Sequence, residues 1–173
     1  MPRHERRRLA HLAALNIFDT EASEGFDRVC MLAREFFQVP MAMVSFVDAD
    51  RQWFKAKSGT HLAGSSRSDA FCAHTILNDE ILVVPDARRD PRFAGSALVQ
   101  HAPGIRFYAG APIMLAPGVG LGAVCIADRV PRMLDGPGRV VLKQLAAVAV
   151  SELRLILAGT AYIRQGYRKD CSL

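Results

Sequence analysis

The chain has 173 residues, half of them hydrophobic and 23% charged, with a formal net charge of +5. That length suffices for one domain with a substantial core. No apolar run reaches the roughly 18–20 residues that span a bilayer, and no apolar segment follows the charged Met1–Arg8, so no membrane partner and a cytoplasmic location are expected.

The cysteines Cys30, Cys72, Cys125 and Cys171 form no C-x-x-C pair and match no zinc spacing, and His4, His11, His61, His74 and His101 are scattered. Free thiols and no metal site are therefore expected. Positive charge gathers at Arg3, Arg6, Arg7 and Arg8 and again at Arg164, Arg168 and Lys169. Without interleaved aromatics it reads as a solvated helix face and a polar tail, and no nucleic-acid partner is expected.

From Glu5 to Leu15, Leu9, Leu12, Ala13 and Leu15 recur at helical spacing. Asp19 and Thr20 offer an N-cap for a second helix to about Phe37, with a stripe of Phe26, Val29, Cys30, Ala33, Phe36 and Phe37, and Pro40 marks its end. Met41–Val47 is a strand. Asp48–Arg51 is turn chemistry, and Gln52–Lys57 resumes with Trp53, Lys55 and Lys57 alternating against Phe54 and Ala56. Ser58–Asp69 reads as a loop, Ala70–Leu77 as a short helix and Ile81–Val84 as a short strand. Pro91 opens a helix to about Gln100. Ile105–Leu115 and Gly120–Asp128 are longer strands joined by Ala116-Pro117-Gly118-Val119, and Gly138 to about Ile163 is a long helix. Tight strand connections imply an antiparallel sheet covered by helices, an α+β fold. The glycines Gly118, Gly120 and Gly122 join two strands and so form no phosphate cradle.

Eight segments resemble, in order, the GAF domain, and in particular the subgroup found in bacterial sensor histidine kinases and diguanylate cyclases. They are Leu15–Thr20, Phe26–Arg28, Val44–Lys55, Phe71-Cys72-Ala73-His74, Val84–Arg88, Asp90–Phe93, Ile105–Ile113 and Gly122–Asp128. The resemblance implies a PAS-related antiparallel sheet of five or six strands, with N- and C-terminal helices on one face and a ligand cup on the other. It divides the chain into an N-terminal helix (1–18), the GAF domain with its long C-terminal helix (19–160) and a polar tail (161–173). Where the family usually has Ser before Phe-Cys, this chain has Ala70.

Phe71, Cys72, His74, Phe93, Phe107 and Tyr108 are the expected lining of the cup. Asp86 joins them as a candidate ligand contact. Its neighbours Arg88, Arg89, Asp90 and Arg92 would either bind an anion or tie the loop to itself, and the second reading is favoured. Cys72 would need a base or a helix N-terminus to act as a nucleophile, and His74, two residues away on a helix, points elsewhere. Cys125, between Val124 and Ile126, points opposite to both and is expected to be buried and inert. Cys72 and Cys125 can meet only if both face the cup.

The expected function is a non-catalytic small-molecule-sensing or regulatory module of bacterial signal transduction, acting through its terminal helices, with an unknown ligand and a signalling protein in trans as partners. The alternatives are a thiol-dependent reductase resembling the GAF-fold free methionine sulfoxide reductases, and a purely structural dimerisation module. In the last helix, Leu142, Ala146, Ala149, Leu153 and Ile156 form one apolar stripe, and Val141, Leu145, Val148 and Leu155 a second. A homodimer through the first and last helices is expected, with Leu153→Glu as the substitution to split it.

Overall fold

The computed structural model describes the backbone of residues 3–170 and the side chains of residues 4–159. Its helices are α1 (Arg3–Leu15), α2 (Glu24–Phe37), α3 (Phe71–Thr75), α4 (Ala97–Gln100) and α5 (Gly136–Asp170), with one 3₁₀ turn at Ala87–Arg89. Its strands are β1 (Met41–Val47), β2 (Arg51–Ser58), β3 (Gly64–Ser66), β4 (Leu82–Val84), β5 (Phe107–Ala116) and β6 (Val119–Asp128). They form one antiparallel six-stranded sheet in the order β3-β2-β1-β6-β5-β4.

Every residue of β1 is buried, because the strand lies mid-sheet with both faces covered. Side chains alternate across the pleat. Ala42, Val44 and Phe46 thus enter one core with Leu12 of α1, Phe26 of α2 and Leu142 of α5, whereas Met41, Met43 and Val47 enter a second core with Phe71, Cys72 and Tyr108. The three long helices cover the first face. Helix α3, the 3₁₀ turn and the loops cover the second. Gly118, at φ +69°, makes the left-handed turn between β5 and β6 without a Cβ penalty. A Cβ at Gly122 would lie 1.8 Å from Ser45 O, so only glycine lets β1 and β6 approach there.

Several expectations are corrected. Helix α2 starts at Glu24 after Ser23, not at Thr20: Asp19 is ion-paired to Arg51 at 2.7 Å, and the Thr20 hydroxyl donates to Ile17 O at 2.7 Å. The stretch 91–100 is a turn followed by the short α4, because Ser96 caps a new start by accepting from Leu98 N. The alternation in β2 breaks at a bulge between Val44 and Ser45: Val44 pairs with Ala56 and Ser45 with Phe54, skipping Lys55. Ala56 therefore joins Trp53 at the helix-covered face, while Phe54 turns to the other. The loop after β2 contains β3. The expected tail at 161–173 overlaps α5, which runs to Asp170; residues 171–173 lie outside the described residues.

Candidate functional site

The face away from the long helices holds a cavity of about 40 Å³. Its walls come from Met41 and Met43 of β1, Gln52 and Phe54 of β2, Phe71 and Cys72 of α3, Tyr108 of β5 and Cys125 of β6, closed by Thr60, Leu62, Ser65, Leu98 and Ile105. Local rules place these groups. In α3, Phe71, Cys72 and Thr75 turn inward and His74 turns sideways. On β6, Val124 and Ile126 face the long helices, so Cys125 between them must face the cavity.

The cavity surface is almost wholly apolar, although Gln52, Thr60, Ser65 and Tyr108 contribute to its lining. Gln52 is 5% exposed, and among the described residues its Oε1 is the buried side-chain oxygen or nitrogen without a hydrogen-bond partner. A buried unpaired acceptor costs about 1–3 kcal/mol. Gln52 is among the residues that line the cavity, so its side-chain amide is a place for a polar group to arrive.

The inner end is built of sulfur and hydroxyl groups. Cys72 Sγ and Cys125 Sγ are 3.7 Å apart. The Tyr108 hydroxyl donates to Cys72 Sγ at 3.2 Å and lies 2.8 Å from Thr75 Oγ1. Burial alone would raise the Cys72 thiol, but its polar contacts with Cys125, Ser45 and Tyr108 outweigh it and pull Cys72 below its ordinary value. Cys125 is pushed up, first by that shared hydrogen bond and then by burial, and burial pushes Tyr108 up. Cys72 is the more acidic thiol of the pair.

Of the expected lining, Phe71, Cys72 and Tyr108 border the cavity. Phe93 stacks behind Phe71, with ring centroids 4.2 Å apart, and His74 packs edge-on against Phe93 at 4.8 Å. These two support the wall and do not border the cavity. Burial, ahead of the nearby Arg92 charge, lowers the His74 imidazole below its ordinary value. Phe107 is a correction: it precedes Tyr108 on β5, so it projects to the opposite face, among the long helices. Asp86 is a second correction. It accepts from Arg88 N and holds the Arg88 guanidinium at 2.9 and 2.7 Å, beside an open depression that does not share residues with the cavity. Asp90 and Arg92 make the same bidentate pair, at 2.9 and 2.6 Å, so these charges tie the loop to itself. Ala70 stands at the N-cap of α3 with no side-chain cap, which is what the missing Ser hydroxyl would supply.

Sequence reasoning missed Met41, Met43, Gln52 and Phe54. For Gln52 a signal exists: it is one polar residue between Arg51 and Trp53 on a strand, sharing a face with Phe54. Among the described residues no three of His, Cys, Asp and Glu come together as a metal cluster, and no helix is long and apolar enough to cross a membrane.

An antiparallel sheet with long helices on one face and a small cup on the other is the architecture of the GAF fold class. Residues 21–153 match the GAF domain family, and the chain belongs to it. It is 42% identical over 131 residues to a cyclic di-GMP phosphodiesterase of Pseudomonas aeruginosa; the match takes in 76% of this chain but 22% of that relative. In three dimensions it is similar to the GAF domain of a phosphoenolpyruvate-protein phosphotransferase from Coxiella burnetii (TM-score 0.65, 14% identity, 91% of this chain and 97% of the other). It is also similar to a free methionine-R-sulfoxide reductase from Neisseria meningitidis (TM-score 0.63, 16% identity, 90% and 91%).

Proposed function

We propose that the chain is a non-catalytic sensory module of a bacterial signalling protein. Its cup takes a small, largely apolar molecule carrying one hydrogen-bond donor. The observation that carries this reading is the unpartnered Oε1 of Gln52, a residue that lines a cavity of almost wholly apolar surface. Outside the cavity lies a groove of about 460 Å³ that shares Met41, Thr60, Leu62, Leu98 and Ile105 with it. Those five side chains separate groove from cup, and a ligand larger than two or three waters moves them on entry.

Two ion pairs tie the cup to the terminal helices. Before α3, Arg67 bonds Glu5 of α1 at 2.6 Å and accompanies Arg8, which bonds Glu5 at 2.7 Å and also donates to Val47 O. After α3, Glu80 pairs with Lys143 of α5 at 2.9 Å. A displacement of α3 therefore reaches both terminal helices, the output route of this reading.

The proposed assembly is a homodimer, with a revised interface. Leu142, Ala149 and Leu153 are fully buried and Ala146 nearly so. The expected Leu153→Glu test therefore strikes the fold. Helices α2 and α5 lie antiparallel, since Gly25 abuts Glu152 and Gly138 abuts Phe37. Along this pair Leu32 (61%), Phe36 (55%), Val148 (47%) and Leu155 (66%) are exposed, an apolar surface for a second copy.

Native mass spectrometry of freshly isolated protein tests the ligand reading. One small molecule retained per chain, and lost in Gln52→Leu, supports it. The reductase alternative has the sulfur pair in its favour, and steady-state turnover of free methionine sulfoxide abolished by Cys72→Ser would replace the sensory reading with it.

A further inference from the structure

We infer that Cys72 and Cys125 form a dithiol that a small hydroperoxide oxidises to a disulfide, making the floor of the cup an oxidative modification site. The two sulfurs arrive from unrelated parts of the chain, a short helix and the middle of a strand, and meet at 3.7 Å beside the cavity. The hydroxyl of Tyr108 donates to the Cys72 sulfur at 3.2 Å. Such a donor stabilises a thiolate and is idle around an inert thiol. Cys30 is the internal contrast. It sits across the sheet among Phe26, Val29 and Val44, where burial pushes its thiol up to about 12.

The cavity also selects the oxidant. Its 40 Å³ holds two or three waters, so hydrogen peroxide fits and a bulky hydroperoxide does not. Entry passes from the outer groove by Leu62, which is 51% exposed and lies on the connection between β2 and β3.

In the first step the Cys72 thiolate attacks one peroxide oxygen. The S–O bond forms, the O–O bond breaks, and the departing hydroxide leaves as water with the proton that the Cys72 thiol gave up, relayed through the Tyr108 hydroxyl beside it. In the second, the Cys125 sulfur attacks the Cys72 sulfenic acid. The S–S bond forms, the S–O bond breaks, and the leaving hydroxide takes the Cys125 proton as a second water. The balance is two thiols and one hydrogen peroxide to one disulfide and two waters. The sulfurs close from 3.7 Å to about 2.05 Å, which pulls α3 toward β6. A cellular dithiol reverses the reaction. The chemistry stands apart from the ligand reading, and its use as a signal rests on the sensory reading.

The test is a thiol map. Reduced Cys171→Ser protein receives hydrogen peroxide, is unfolded and alkylated, and its peptides are weighed. The expected result is a dithiothreitol-reversible link between the Cys72 and Cys125 peptides with loss of two hydrogens, while Cys30 stays alkylated. The pair should oxidise at least ~10-fold faster than Cys30, and faster with hydrogen peroxide than with cumene hydroperoxide, with Leu62→Ala narrowing the second gap. Cys125→Ser should stop at a dimedone-trapped sulfenic acid on Cys72. Equal alkylation of all three cysteines after peroxide overturns the proposal, as does a Cys72 sulfinic acid with no crosslink. Should Cys125→Ser fail to fold, the map of the Cys125-bearing protein decides alone. Failed oxidation leaves any molecule held against Gln52 in place, and failed ligand binding leaves the thiol map unchanged.

Discussion

The two faces of one sheet are built from neighbouring residues and differ in kind. Toward the long helices, Val44, Phe46, Phe107, Ile113, Val124 and Ile126 meet Phe26, Leu142 and Leu153 in a core of aliphatic and aromatic groups. Toward α3, the adjacent positions are Met43, Ser45, Tyr108 and Cys125, which bring polarisable sulfur, hydroxyls and a cavity. A cysteine on the first face, Cys30, is pushed up to about 12 by burial; Cys72, on the second, is pulled down by its polar neighbours, Cys125 first among them. One face is built for stability and the other tolerates an orphaned acceptor. Flexible thioethers and an unfilled space are what a binding site needs and a stability core avoids.

Substitutions sharpen that contrast. Phe46→Ala, at a fully buried position on the helix-covered face, should cost about 3–5 kcal/mol in chemical denaturation. Met43→Leu, on the cup face, should cost under about 1.5 kcal/mol. Equal losses would erase the distinction between the faces.

The ion-pair link between the faces is testable by pH. Hydrogen bonding and charge from Arg8, with Arg67 adding to both, hold Glu5 at about 2, below its ordinary 4.5. A carboxyl lowered by folding stabilises above its unfolded value and loses that contribution as pH falls. Stability from Glu5 should be complete above about pH 4.5 and fade between 4.5 and 2. Its size is on the order of 1–2 kcal/mol, since the group is partly solvent-screened. Glu5→Gln should flatten the unfolding free energy across that window, and an unchanged slope would remove the clamp from the account.

Gln52→Leu should act in the opposite direction. Removing an unpaired buried acceptor should stabilise the empty protein by about 1 kcal/mol, read as a higher denaturation midpoint. A loss of stability would mean that Oε1 is satisfied within the protein. Leu155→Glu, at an exposed position, should leave the fold within about 0.5 kcal/mol of its starting stability. In sedimentation it should shift a dimer to monomer, and a single-chain mass before substitution would remove the proposed dimer.

Much of this architecture was legible from local pattern. The strand at Met41–Val47 has the bounds its β-branched run implies, and strict alternation around Cys125 places it opposite Val124 and Ile126. Phe71, Cys72 and Tyr108 were found through the resemblance. Phe107 was misplaced because a motif names neighbours together, while a strand sends them to opposite faces. Gln52 and Phe54 were missed because alternation puts them on one face of β2 but does not say which face meets the cup, and the bulge at Lys55 then sends Ala56 to the other face. The meeting of Cys72 with Cys125 lay beyond reach: 53 residues separate them, and only the packing of α3 on β6 closes the distance.

The central claim, that the cup is a ligand site recognised through Gln52, is tested most directly by a matched pair of probes. Aniline and toluene have nearly the same shape, aniline alone carries an N–H donor, and either must displace the five side chains between groove and cup on entry. Titration of each into the protein, followed by amide chemical shifts, should perturb Met43, Gln52 and Tyr108. Aniline should bind about fivefold tighter than toluene, the worth of one net hydrogen bond, and the preference should vanish in Gln52→Leu. Shifts confined to the surface, or the same preference in Gln52→Leu, would contradict it.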